Sequence, residues 1–239
     1  MNDSAGIGKP TTRRNANGTG PAPGHSRPVT SSQTGPHEDL ERQLERHARR
    51  PFAKPIADYN REAFDRVAAR LATIDRPLIL DSGCGTGDSS RLLARRFPDH
   101  WVVGVDRSAD RLSRQRSDTP SNCVLVRADL IDFWRLAEQQ GWAPVRHYLL
   151  YPNPEPKPRH LKRRFHAHPV FPTVVALGGR IESRSNWRIY LDELSRALAF
   201  HGRTARVEPI PVDAAPLTPF ERKYRASGQR LWRLISADG

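Results

Sequence analysis

The 239-residue sequence contains little cysteine and no long apolar run. Cys84 and Cys123 are too few for a disulfide framework, so a reducing compartment, the cytoplasm, is expected. No run reaches the roughly 18 apolar residues of a membrane-spanning helix, and no membrane association is predicted. The N-terminal residues lack an apolar core, so no secretory signal is expected.

Acidic residues are also scarce, because 26 Asp and Glu stand against 39 Lys and Arg and give a net charge of +13. This balance favours a polyanionic partner, most simply nucleic acid, although an anionic membrane or a well-solvated basic surface would also fit it. Residues 151–206 hold 11 of the basic residues and only 4 of the acidic ones. Phosphate contact is therefore expected in this part of the chain.

The composition divides the chain into a tail and one domain. Residues 1–36 are rich in Gly, Pro, Ser, Thr and Asn and are expected to be a disordered polar tail. Residues 37–239 are predicted to form a single domain, with an N-terminal helix and linker at 37–55. Strands are predicted at 77–82, 101–106, 123–128, 145–151, 180–185, 204–210 and 231–235. Helices are predicted at 57–73, 88–97, 108–116, 131–140, 159–176 (with a break before Pro169) and 187–199. Apolar strands that alternate with helices indicate an α/β fold, with a parallel sheet covered on both faces.

The first predicted strand leads into a glycine-rich turn, 81-DSGCGTG-87. Its glycines permit a tight turn and a close approach of the backbone to a ligand at the start of the next helix. Asp106 ends the second strand, where an acid can accept hydrogen bonds from ribose hydroxyls. Asp129 ends the third strand. Cys84 has no base near it in sequence and is interpreted as a small packing residue.

This arrangement resembles the class I S-adenosylmethionine-dependent methyltransferases, and its Gly-x-Gly-x-Gly spacing differs from the nicotinamide fingerprint. The resemblance implies a Rossmann-like, doubly wound and mostly parallel seven-stranded sheet. It also implies S-adenosyl-L-methionine as cofactor, with its methionine part in the glycine turn, its ribose at Asp106 and its adenine by Asp129. The expected cofactor-binding residues are Asp81, Gly83, Gly85, Asp106, Arg107, Asp129, Leu130 and Asn153.

The fourth strand runs into 151-YPNPEPKPRHLKRR-164, a proline-rich turn followed by a basic segment. In an open α/β sheet the end of this strand lies at the ligand-binding edge. Pro152 and Pro154 restrict the backbone on both sides of Asn153, which is predicted to project over the active site as the catalytic residue. The basic segment is predicted to be helical and to contact phosphate through Lys157, Arg159, Lys162 and Arg163.

The same stretch resembles the signature of the bacterial tRNA (guanine-N7)-methyltransferases, Phe-Pro-Asp-Pro-Trp-x-Lys-x-Arg-His-x-Lys-Arg-Arg. Two further pieces, 178-GGRIESRSNWRIYLDEL-194 and 218-TPFERKYRASG-228, resemble the Thr-Asp-Trp-x-x-Tyr and Thr-x-Phe-Glu segments of that family. The resemblance implies methyl transfer to N7 of a guanine in tRNA. It adds Asn186, Thr218 and Glu221 to the expected substrate-binding residues, although Thr218 and Glu221 also fit a helix capping box.

The sequence departs from the family where an acid is expected at positions 153 and 186, which are both Asn, and where Trp is expected at position 155, which is Glu. Methylation of another RNA site therefore stays open, and so do two alternatives to the family activity. One is an amino-methyltransferase, because 153-NPEP-156 partly matches an Asn-Pro-Pro-aromatic motif. The other is a non-catalytic RNA-binding protein on a methyltransferase scaffold.

The remaining expectations concern partners. No metal is expected, because the histidines at 160, 166 and 168 lack acids or cysteines that would complete a tetrahedral site. Trp187 is interpreted as a packing residue. The expected partner is tRNA, and the expected assembly is a monomer or a weak dimer.

Overall fold

The structure is a computed structural model that describes residues 26–73, 75–114 and 118–237. Seven strands form one sheet in the order β3-β2-β1-β4-β5-β7-β6. They are β1 (Leu78–Ser82), β2 (Trp101–Asp106), β3 (Cys123–Arg127), β4 (Arg146–Leu150), β5 (Arg180–Ser185), β6 (Ala205–Pro209) and β7 (Trp232–Ser236). The first five strands are parallel, and β7 pairs antiparallel with both β5 and β6.

The helices cover both faces of this sheet. They are α1 (Leu40–Ala48), α2 (Asp58–Leu71), α3 (Asp88–Arg96), α4 (Ala109–Ser113), α5 (Leu130–Gln139), α6 (Phe171–Ala176), α7 (Arg188–Phe200) and α8 (Pro219–Ala226). Two short 3₁₀ helices, Pro158–Arg163 and Phe165–Ala167, connect β4 to α6. In the described residues no helix is long and apolar enough to cross a membrane.

Continuous apolar runs become the central strands because helices bury them from both sides. All six residues of β2 are buried, and four of the five in β1 and in β4. Apolar side chains form a large cluster that includes Leu80, Phe133 and Trp134 and a smaller one around Ile79 and Leu93. Ile79 and Leu80 are consecutive in β1, so their side chains point to opposite faces of the sheet and both faces are packed.

The order of the central strands reverses between β1 and β4, which makes this junction the switch point of the doubly wound sheet. Because both strands are parallel, their carboxyl ends meet at one edge. The glycine turn leaves β1 at this edge and the proline turn leaves β4 there. The fold therefore brings together the two motifs that the sequence singled out.

Two predictions about the fold need correction. The expected disordered tail does not extend to residue 36, because Ser26, Ser31 and Gln33 hydrogen-bond to the domain; residues 1–25 lie outside the described residues. The helix expected at 159–176 has the break expected before Pro169 and a second, unexpected break at Arg164, so it consists of three short elements. Arg164 has an extended backbone (ψ 136°), and so does His168 before Pro169, which interrupts the helical path twice.

Candidate active site

The glycine turn forms an open cradle at the end of β1. Gly83 and Gly85 adopt positive φ angles of 84° and 61°, which L-residues with side chains rarely adopt. A side chain at Gly85 would project into open space, and at Gly83 it would meet only Leu130, at 3.8 Å. The backbone N–H groups of Gly83 and Cys84 donate to the Val105 carbonyl, which ties the turn to β2. The empty space above the glycines suits a ligand that needs close backbone approach.

Asp81 lies beneath this cradle and does not line it. The Asp81 carboxyl is fully buried, and one of its oxygens accepts hydrogen bonds from the Ser89 and Ser90 hydroxyls at 2.6 Å each. The pKa of Asp81 is raised, because burial and the charge of Asp106 outweigh the two hydroxyls, which lower it. Its other oxygen is buried without a partner. Direct contact with a cofactor, as the sequence predicted, would require the turn to shift, so the geometry gives Asp81 a supporting role.

Asp106 and Asp129 occupy the strand ends that the sequence predicted. Asp106 accepts hydrogen bonds from the backbone N–H of Gly85 at 2.9 Å and of Ser108 at 2.8 Å, so it links β2 to the glycine turn. Asp129 caps α5 by accepting from the Ile131 N–H at 2.9 Å and is half-buried. These acids and Leu130 thus surround the cradle on the β2–β3 side.

Two other predicted residues near the turn differ in exposure. Arg107 is exposed, and its carbonyl oxygen is 3.5 Å from the Arg127 side chain. Cys84 is buried, and burial raises its pKa well above the ordinary value, with the charges of Asp81 and Asp106 adding to the effect. A thiol held protonated in this way agrees with its interpretation as a packing residue.

The proline turn has two non-glycine residues in the left-handed region. Tyr151 has φ 53° and Glu155 has φ 45°, and they bracket Asn153. Such angles persist only where surrounding contacts enforce them. The Glu155 carbonyl oxygen accepts from Arg164 Nε at 3.2 Å and Nη2 at 3.0 Å, and Ser31 donates its hydroxyl to the Pro156 carbonyl at 2.5 Å. The turn is therefore braced from behind by the basic segment and by the N-terminal segment.

Asn153 is exposed in this turn. Its amide nitrogen donates to Glu155 Oε1 at 2.8 Å. The other Glu155 oxygen lies 3.0 Å from His160 Nδ1 and 3.8 Å from Arg163 Nη1. A carboxylate therefore lies directly beside the asparagine, held by one imidazole and one guanidinium.

The basic segment separates into an exposed and a buried part. Lys157, Arg159, Lys162 and Arg163 are all exposed, as phosphate contact requires. Arg164 is completely buried and forms an ion pair with Glu193, with Nη1 at 2.6 Å from Oε2. His166 Nε2 lies 2.8 Å from the same carboxylate oxygen.

The buried Glu193 carboxylate also anchors the N-terminal segment. Gln33 donates its amide to Glu193 Oε1 at 2.6 Å, and the His37 N–H donates to the same oxygen at 2.9 Å. Burial opposes ionisation of Glu193, but hydrogen bonds and charge from His166 and Arg164 outweigh it and lower its pKa to about 2. Trp187 is buried with the Arg164 guanidinium over its ring, which agrees with its interpretation as a packing residue.

Two of the predicted substrate-binding residues are in structural roles. Glu221 is 0% exposed and pairs with Arg184 at 3.0 Å and Arg225 at 2.9 Å. Thr218 is buried and caps α8 by accepting from the Glu221 N–H at 3.0 Å. The capping interpretation is therefore the one that the geometry supports, and Glu221 cannot reach a substrate in this arrangement. Asn186 is half-buried and donates its amide to Gln229 at 2.8 Å, which leaves its carbonyl oxygen available.

Sequence reasoning missed the hydrogen bonds by which Ser31 and Gln33 attach the N-terminal segment to the domain. Their segment is polar and has few aliphatic residues, which is the composition of a disordered tail, so no local signal could have found them. It also missed the pairing of Glu155 with His160, which needs the left-handed backbone at position 155. Glu155 stands at a position where the family pattern has Trp, and that departure was the available signal.

A doubly wound seven-stranded sheet with an antiparallel β7, a glycine cradle at β1 and acids at the ends of β2 and β3 defines a class I S-adenosylmethionine-dependent methyltransferase. The solved structures agree on the fold. A 16S rRNA methyltransferase (KamB) matches with a TM-score of 0.53 and 17% identity, over 80% of this chain and 99% of that one. An antibiotic-related methyltransferase matches with a TM-score of 0.53 and 16% identity, over 74% and 94% of the two chains.

The sequence comparisons identify the family. Residues 75–234 match the family described as putative methyltransferase. The tRNA (guanine-N(7)-)-methyltransferase of Rubrobacter xylanophilus is 30% identical over 164 residues, which are 66% of this chain and 71% of the relative. The enzyme of the same name from Sphingopyxis alaskensis is 28% identical over 69% of this chain and 77% of its own. The chain belongs to the tRNA (guanine-N7)-methyltransferase family.

Proposed function

We propose that the protein transfers the methyl group of S-adenosyl-L-methionine to N7 of a guanine in tRNA. The observation that carries the proposal is the meeting of the glycine cradle and the proline turn at the β1–β4 switch point. The cradle belongs to the class, and the proline turn with its basic segment belongs to the family. Open α/β sheets bind their ligands at this edge.

The residues around the cradle suit the cofactor. Gly83 and Gly85 leave room for its methionine part, and Leu130 offers an apolar contact beside Gly83. Asp106 is at the strand end where an acid meets a ribose, although both of its oxygens already accept backbone N–H groups, so ribose would share its remaining lone pairs. The cofactor, when bound, supplies an electrophilic methyl group on a positively charged sulfur.

The reaction does not require the protein to remove a proton from the base. The lone pair of guanine N7 forms the new N–C bond, the S–C bond breaks with its electrons going to sulfur, and the purine gains a positive charge. No proton leaves N7, so no general base is needed. The chain therefore has to align the base, exclude water and stabilise the developing positive charge. The Asn153 carbonyl oxygen and the neighbouring Glu155 carboxylate are the groups of the turn suited to these tasks.

The basic surface beside the site suits the tRNA backbone. Lys157, Arg159, Lys162 and Arg163 are exposed on one side of the proline turn. A cavity of about 400 Å³ at the end of α1 is lined by further cations, among them Arg46, Arg50 and Lys54. Burial lowers the pKa of His47 in this cavity, and the charges of Arg46 and Lys162 lower it further. Both sets of cations would position RNA through its phosphates.

The test is methyl transfer from labelled S-adenosylmethionine to unmodified tRNA, with the product nucleoside identified by mass. 7-Methylguanosine is the expected product. N6-methyladenosine or a methylated amide would instead support the amino-methyltransferase alternative. Cofactor and tRNA binding without any transfer would support a non-catalytic RNA-binding protein.

The assembly and location form part of the same proposal. We expect a monomer or a weak dimer that acts in the cytoplasm, where its tRNA substrate is found. Sedimentation of the protein with and without tRNA tests the first point, and a concentration-independent dimer would contradict it. Localisation of the tagged full-length chain tests the second.

A further inference from the structure

The proline turn contains an acid–amide pair in which the family pattern has a single acid. Asn153 takes the place of the Asp that the family has between the two prolines, and Glu155 lies two residues further along the chain. On an extended chain, residues two apart project from the same side of the backbone, so their side chains can meet. Glu155 has a left-handed backbone conformation, at φ 45°, and its Oε1 lies 2.8 Å from the Asn153 nitrogen.

The chemistry of this contact fixes the orientation of the asparagine. An ionised carboxylate can only accept hydrogen bonds, so the amide nitrogen of Asn153 must face Glu155. The Asn153 carbonyl oxygen then points away from Glu155, and among the described residues no donor reaches it. A free carbonyl oxygen on an exposed side chain can accept a hydrogen bond from the N–H groups on the Watson–Crick edge of guanine.

The carboxylate also has two basic neighbours. His160 Nδ1 lies 3.0 Å from Glu155 Oε2, and Arg163 Nη1 lies 3.8 Å from it. The two contacts from Arg164 hold the Glu155 carbonyl oxygen, and Arg164 is itself fixed by Glu193. A residue in a rare backbone conformation with both its carbonyl and its carboxylate bound is built to stay in one position.

We propose that Glu155 is a positioning residue that compensates for the acid missing at position 153. It orients Asn153 so that the carbonyl oxygen faces the guanine, and it keeps one negative charge beside the purine that becomes positive on methylation. The negative charge of the family pattern is retained but displaced onto Glu155. This inference rests on the proposed function for its consequence in catalysis.

Replacing Asn153 by the Asp of the family pattern should lower the activity, not raise it. Asn153→Asp places two carboxylates where an amide and a carboxylate now share a hydrogen bond of 2.8 Å. Like charges at this distance repel, so the variant should lose activity although it matches the family. Glu155→Gln removes the charge, and should also lose activity. The double variant Asn153→Asp/Glu155→Gln restores one acid and one amide with the hydrogen bond reversed, and should recover activity.

The experiment is a double-substitution cycle on the full-length chain, with kcat and KM measured for unmodified tRNA at saturating S-adenosylmethionine. Each single variant is expected to lower kcat at least tenfold, with the affinity for cofactor unchanged. The double variant is expected to lie within about threefold of the original protein. Glu208→Gln is the matched control. Glu208 is on β6, at the far edge of the sheet, and pairs with Arg206 on β6 and Arg233 on β7, so the variant loses ion pairs remote from the site and its kcat should not change.

Losses that multiply in the double variant would overturn the proposal, and so would an Asn153→Asp variant that is faster than the original protein. An original protein that transfers no methyl group to tRNA contradicts the proposed function instead. Whether Asn153 and Glu155 are paired is then tested by urea unfolding of the original protein, the two single variants and the double variant. Asn153→Asp should destabilise the fold when Glu155 is present and have a smaller effect when Gln is at 155, whereas equal effects would show that the two side chains are not paired.

Discussion

At the scale of single residues, Asp106 is the acid on which the shape of the glycine cradle depends. It accepts the Gly85 and Ser108 N–H groups with its two oxygens. Asp106→Asn would turn an NH₂ group toward one of these N–H groups, and two donors cannot hydrogen-bond to each other. We expect cofactor affinity to fall at least tenfold, because a hydrogen bond to a charged group contributes about 1.5–3 kcal/mol. Calorimetric titration with S-adenosylhomocysteine measures the change.

Asp110→Asn is the matched control for Asp106, since Asp110 is exposed on α4 and pairs only with Arg114 in the described residues. It should leave the cofactor affinity unchanged. An Asp106→Asn variant that binds as tightly as the original protein would show that the carboxylate neither shapes the cradle nor meets the ribose.

Residues at strand ends could be predicted because their location follows from the strand pattern, but their accessibility could not. Asp106 and Asp129 are at the expected edge, but only Asp129 is partly exposed. Asp106 is buried, and Asp81 is buried under the turn by Ser89 and Ser90. Glu221 fits both a capping box and a substrate contact in sequence. Only the position of Arg184 on β5, which pairs with Glu221, decides between these roles. Such partners are distant in the chain, so local pattern carries no information about them.

At the scale of elements, two adjacent arginines of the basic segment have opposite roles. The Arg163 side chain is 64% exposed, and that of Arg164 is 0% exposed and paired with Glu193. Lys162→Glu combined with Arg163→Glu should weaken tRNA binding in a filter-binding titration and leave cofactor binding unchanged, because phosphate contacts depend on charge. Arg164→Ala should instead destabilise the fold by about 3–5 kcal/mol, because it removes the guanidinium that pairs with a buried carboxylate.

The matched control for the charge reversal is Arg196→Glu, an exposed substitution in the second half of α7, which runs away from the ligand edge. Unchanged tRNA affinity in the Lys162 and Arg163 variant would contradict the phosphate-binding surface. Urea unfolding that gives Arg164→Ala the stability of the original protein would contradict the buried pair.

The strands were predictable as elements and the basic segment was not, for a physical reason. Continuous apolar runs have one stable outcome, a buried strand covered on both faces. The segment from residue 158 to 176 has helical spacing of its apolar residues, but Pro169 and the extended backbone of Arg164 divide it. Arg164 is extended because its side chain reaches back to Glu155 and across to Glu193. Tertiary contacts therefore override a helical pattern there.

At the scale of the whole molecule, burial of ionisable groups at the centre of the sheet should make the fold sensitive to acid. His147 on β4 is fully buried, and its Nε2 lies 2.8 Å from the Ser82 hydroxyl on β1. Because Ser82 also accepts from Trp134 Nε1 at 2.9 Å, its own proton is free to donate to a neutral imidazole. Burial lowers the pKa of His147 to about 3, and the charge of Arg203 adds to this effect.

The sign of the pH dependence follows from this depressed pKa. The unfolded chain binds a proton at His147 below about pH 6.5, whereas the folded chain stays neutral there until about pH 3. The contribution is therefore complete above pH 6.5 and is lost as the pH falls toward 3. Glu193 acts in the same direction at lower pH, with its contribution lost between its ordinary pKa of 4.5 and about 2.

The measurement is the free energy of unfolding in urea between pH 6.5 and 4.5, for the original protein and for His147→Gln. One proton bound only by the unfolded chain gives a slope of up to about 1.4 kcal/mol per pH unit. The variant should be less stable at neutral pH, because the Ser82 contact is disturbed, but its slope should be shallower by that amount. Other buried histidines contribute equally to both proteins and cancel in the comparison. Parallel curves would show that His147 takes up its proton in the folded protein as readily as in the unfolded chain, and that the β1–β4 junction beneath the site is more open to water than its burial indicates.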